Sequence, residues 1–108
     1  MSSDSTRKPM ATVHASPMVH EITAELDTLR QDSHIQAVYS EWLDDTYVVW
    51  IGIQEDDEKA RTTAYHLEDR MSERFSDVLF DFHVIALPEG KKTQDYVSNA
   101  QVVFQRSA

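Results

Sequence analysis

The residues best suited to chemistry are Asp81 and His83, set inside the apolar run Val78 to Leu87, VLFDFHVIAL. On a strand they share one side, about 6.5–7 Å apart along it. A carboxylate and an imidazole so placed can act as acid and base, and they can equally serve structure alone. No nucleophile accompanies them, because Ser40 and Thr46 lack a recognisable elbow or base spacing. The histidines are His14, His20, His34, His66 and His83, and no pair has the i, i+4 helical spacing of a zinc site. A metal site assembled from Asp81, His83 and a histidine of another chain is allowed by the sequence. Gly52 and Gly90 are the only glycines, so no phosphate-cradling loop exists. No residue is assigned to catalysis or to a metal, and no cofactor is expected.

The elements that must position Asp81 and His83 follow from periodicity. Val, Phe and Ile dominate the run, and Pro88 and Gly90 close it, as expected of a strand. Phe80, Phe82 and Val84 mark one face; Asp81, His83 and Ile85 mark the other. Residues His34 to Trp42 and Tyr47 to Gln54 read as two further strands around the turn Leu43-Asp44-Asp45-Thr46. A hairpin centred on the two aspartates pairs Trp42 with Tyr47, Ser40 with Val49 and Val38 with Ile51 on one face. It pairs Glu41 with Val48, Tyr39 with Trp50 and Ala37 with Gly52 on the other. Gly52, inside a strand, signals close packing or a bulge.

Two amphipathic helices complete the pattern. Ser16-Pro17 reads as a cap and first turn, and Val19, Ile22, Leu26 and Leu29 form one stripe over residues 17–30. The acidic run Glu55-Asp56-Asp57-Glu58 could hold a cation, but lacks calcium-loop spacing and suits the start of a helix. That helix runs to about Phe75, with Ala60, Ala64, Leu67, Met71 and Phe75 on one face. Lys91 to Asp95 is a polar loop, and Gln101 to Gln105 a final strand. Residues 1–15 are polar and aperiodic and are expected to be a disordered leader. Residues 16–108 form a single α+β domain.

The expected architecture is a two-layer sandwich of order α-β-β-α-β-β. Both helices cover one face of a mainly antiparallel sheet of three to four strands. One arrangement inserts the C-terminal strand between strands two and three, as in a circularly permuted ferredoxin-like fold. The alternative pairs strands two and three directly and leaves the C-terminal strand at an edge or exchanged with a second protomer. The order of helix, two strands, helix and strand resembles the cytoplasmic domain of cation-diffusion transporters. The segment YVVWIGIQEDDEKARTTAYHLEDRMSERFSDVLFDFHVI is similar to its strand, acidic helix start, helix and final strand. Such domains often carry a ligand histidine early in the helix; here Arg61 stands near that place.

Composition bounds the function. The formal net charge of -9 argues against nucleic acid and anionic membranes, which are bound through Lys and Arg. It suits solubility and, secondarily, a basic protein partner. Without cysteine there are no disulfides or thiolate sites. No apolar run approaches a membrane span, and the N-terminus lacks a signal's apolar centre, so a cytoplasmic protein is expected. With the helices on the Phe80 and Phe82 face, the other face shows Tyr39, Trp50, Asp81 and His83. Those four are the candidate ligand or interface residues. The leading expectation is a non-enzymatic binding or assembly module that forms a homodimer through this face. The alternatives are a small-ligand or metal-binding domain using Asp81 and His83, and a small enzyme with that pair as acid and base.

Overall fold

A computed structural model describes residues 17–97 and 99–106. The expected leader, and the Ser16 cap, lie outside the described residues. Helix α1 spans Pro17–Asp27 and continues as a 3-10 turn over Thr28–Gln31. Strands β1 (Ile35–Leu43) and β2 (Thr46–Gln54) follow, then helix α2 (Glu58–Arg74), β3 (Leu79–Leu87), a 3-10 turn (Thr93–Asp95) and β4 (Gln101–Gln105).

The stripes on the helices are the core. Ile22, Leu26 and Leu29 of the first segment and Ala60, Ala64, Leu67 and Met71 of α2 are buried. They join Val38, Tyr47, Val49, Ile51, Ile53, Phe82 and Phe104 in one cluster, so both helices cover the same sheet face. The acidic run starts α2: the Asp57 carboxylate accepts the Ala60 N–H at 2.8 Å, satisfying an otherwise free donor of the first turn. Glu55 and Asp56 take positive φ values of 57° and 47°, which turn the chain out of β2. The Asp56 carboxylate then pairs with Arg61. Across the helix layer, Arg74 of α2 reaches Glu21 and Glu25 of α1.

The sheet is four-stranded, in the order β3-β2-β1-β4. The hairpin register is the expected one, with Trp42 opposite Tyr47, Tyr39 opposite Trp50 and Ala37 opposite Gly52. A register shift lies in β1 between Ile35 and Ala37, beside Gly52. The expected mainly antiparallel sheet holds in part: β1 pairs antiparallel with β2 and β4, but β2 and β3 are parallel, so the sheet is mixed. Of the two expected strand arrangements the structure has the second, with β2 and β3 paired and β4 at an edge. The permuted ferredoxin-like order is not adopted. β2 and β3 pair directly along nine residues, Thr46 with Leu79 through to Gln54 with Leu87, leaving no gap for β4. The five-residue β4 instead takes the free edge of β1. Its residues suit that place, because only Phe104 is buried. Arg106 anchors it, donating from Nε to the Ile35 carbonyl at 2.8 Å.

Candidate functional site

β3 and β4 occupy opposite edges of the sheet, so the chain between them must cross it. It crosses the face without helices. Thr93 is 2% exposed, and its Oγ1 lies only 1.9 Å from where a Cβ on Gly52 would be. Gly52 is the residue that admits the crossing. Beside it, the Tyr39 hydroxyl donates to Gln105 Oε1 at 2.6 Å and lies 3.5 Å from Gln94 Oε1. Tyr39 is buried at 8% exposure. The loss of water around the ring pushes its phenol above the ordinary tyrosine value.

The connection covers one end of the face and leaves the other open. Three rows of side chains cross the open end. The first is Leu43, Thr46 and Leu79; the second Glu41, Val48 and Asp81; the third Tyr39, Trp50 and His83. Leu79 is 58% exposed and Leu43 50%. The Trp50 and His83 rings stack, with centroids 4.7 Å apart and planes inclined by 20°. His83 Nε2 lies 3.0 Å from Asp81 Oδ2, with both side chains about half exposed. On the other side of Trp50, its indole N–H donates to Glu41 Oε2 at 3.4 Å. Strand alternation produces this group directly, because Asp81 and His83 share a side and the parallel register sets Trp50 beside His83.

Of the four candidates, Trp50, Asp81 and His83 therefore come together at the open end. Tyr39 is in the same row, but its hydroxyl belongs to the covered end. The chemistry on offer is a flat aromatic pair flanked by carboxylates, open to water. Asp81 and His83 are hydrogen-bonded to each other, and both are about half exposed.

Sequence reasoning did not find Thr93, Gln94 or Gln105, which carry the covering connection. The isolated glycine in β2 was the one available signal. A groove of about 650 Å³ lies elsewhere, between the 3-10 turn after α1 and α2, with His34, Asp57 and His66 among its lining residues. His34 Nδ1 is 3.5 Å from Asp32 and 3.9 Å from Asp57. Among the described residues, no group of three or more His, Cys, Asp or Glu side chains is placed to hold a metal ion, and no helix is long and apolar enough to cross a membrane. Set against known proteins, the chain matches no family model, no curated protein and no solved structure.

Proposed function

We propose that the chain is a small acidic binding or assembly module that self-associates through the open end of its sheet. The observation that carries this reading is the division of one sheet face. The β3–β4 connection seals the Gly52 end, while Leu43, Leu79, Trp50 and His83 are left accessible at the other. Apolar and aromatic side chains grouped in this way favour contact with another surface over contact with water. Trp is also the residue type most enriched among side chains that dominate binding energy. A second copy brings the same patch, which suits a two-fold contact. Because each copy carries a formal charge of -9, long-range repulsion opposes the dimer, and added salt should strengthen it. The same acidity suits a basic protein partner, and the composition suits the cytoplasm.

Light scattering tests the surface. Trp50→Ala and Leu79→Asp should each lower the mass-average association, and Tyr65→Ala, on the exposed side of α2, should not. Equal effects of all three would sink the assignment to the sheet. A second reading, a small-ligand site, is favoured by the Asp81–His83 hydrogen bond beside the flat face of Trp50. Under that reading, His83→Gln changes the response of Trp50 fluorescence to added ligand and leaves association unaltered.

A further inference from the structure

The most apolar strand of the chain lies at an edge. β3 pairs with β2 on one side only, and within it Phe82 alone is buried. The Phe82 N–H points away from β2 and is taken at 3.0 Å by Oε2 of Glu68, reaching from α2. Alternation then directs the N–H and C=O groups of Phe80, Val84 and Ala86 outward as well. A row of outward backbone groups on an apolar strand is a template for another strand, and proteins commonly block such rows with charged side chains.

We propose that the β3 edge is a second self-recognition surface, fitted to β3 of another copy and held closed by Glu68. It goes beyond the sheet-end contact above and does not depend on it. The register follows from symmetry. A two-fold axis normal to the sheet keeps every side chain on its own face, so the axis passes through a residue. An axis at Phe82 sets Asp81 opposite His83 of the second copy, Leu79 opposite its Ile85 and Phe80 opposite its Val84. A carboxylate meets an imidazole at both Asp81–His83 contacts, and apolar residues meet apolar ones at the others. An axis at Asp81 sets the two carboxylates against each other. An axis at His83 sets the two imidazoles together and leaves Asp81 facing Ile85. Of these three axes, only the one at Phe82 sets each carboxylate against an imidazole. The central bonds of that ladder are the mutual N–H to C=O bonds of the two Phe82 residues. Those are the bonds Glu68 prevents while it holds the Phe82 N–H, and pairing requires it to let go.

The absence of native cysteine makes disulfide trapping clean. Leu79→Cys protein mixed with Ile85→Cys protein should cross-link, because those residues are opposed within bridging distance and Asp81 and His83 are kept. Neither protein alone should cross-link well, since each cysteine is then offset from its own copy by six residues. Glu68→Ala should raise the mixed yield about tenfold by removing a charge-assisted competitor for Phe82. Glu68→Gln, whose amide oxygen still accepts that N–H, should leave it near the unsubstituted level. Val84→Pro, which removes an outward N–H and leaves the β2 ladder intact, should abolish it. The Trp50→Ala background separates the two surfaces: edge cross-linking persists there even if sheet-end association is lost. Equal yields from single and mixed proteins would overturn the register, and a yield indifferent to Glu68→Ala would overturn the gate. Should Glu68→Ala fail to fold by circular dichroism, the mixed cross-link and its loss with Val84→Pro decide the matter in the unsubstituted background.

Discussion

Replacing Gly52 with alanine tests whether the β3–β4 connection seals its end of the sheet. Alanine in a strand interior is ordinarily better than glycine by roughly 0.5–1 kcal/mol, because glycine loses more chain entropy. Here the sign should reverse. The new Cβ would lie 1.9 Å from Thr93 Oγ1 and 3.1 Å from both Thr93 Cβ and Leu87 Cδ1. The Leu87 tip can rotate aside. Thr93 cannot, because it is buried beneath its own backbone turn, so the connection must lift from β2. Overpacking of this kind costs about 1–3 kcal/mol, which lowers the melting temperature of a domain this size by about 4–8 °C per kcal/mol. Thr93→Ala removes the clashing hydroxyl, which has no hydrogen-bond partner among the described residues. The Cβ–Cβ approach of 3.1 Å remains, so rescue in the double variant should be partial. Thermal unfolding of the four proteins gives the coupling directly. The double variant should be more stable than the sum of the single losses predicts. A Gly52→Ala protein as stable as the parent, or strictly additive losses, would refute the sealing contact.

Three further outcomes follow from individual contacts. Asp57→Ala removes the cap on α2 and should cost about 1 kcal/mol in urea unfolding, whereas Asp57→Asn, which can still accept the Ala60 N–H, should recover most of it. Tyr39 should ionise above the ordinary tyrosine value in an alkaline absorbance titration, and Tyr39→Phe should remove that late step. Its folded pKa is raised by burial, so its contribution to stability is complete below the ordinary tyrosine pKa of about 10 and is lost as pH rises through the folded value. Arg74→Ala breaks exposed pairs with Glu21 and Glu25 and should cost less than about 1 kcal/mol, falling further in high salt.

The local structure was legible because each element obeys a simple period. Ile22, Leu26 and Leu29 mark one helix, Ala60 to Met71 the other, and the Asp44-Asp45 turn fixes the whole hairpin register. The alternation in VLFDFHVIAL placed Asp81 and His83 on one face, and the hairpin register brought Trp50 to the same face. Strand order was not legible, since β4 has apolar alternation weak enough to suit either a gap or an edge. The choice is made by the full-length parallel ladder between β2 and β3, a non-local pairing that no single segment announces. Covering of the Tyr39 end was hidden for a similar reason. Thr93, Gln94 and Gln105 are polar residues in and beside a loop, and they gain their role only because β3 and β4 lie on opposite edges. Glu68 reads as one of several surface acids on α2; its bond to Phe82 depends on where the helix crosses β3.

Self-association through the open end of the sheet is read out by sedimentation equilibrium over a wide range of protein concentration. A monomer–dimer equilibrium should appear that tightens as salt rises and is weakened by Trp50→Ala and by Leu79→Asp. A protein that sediments as a monomer at every concentration and salt level would contradict it.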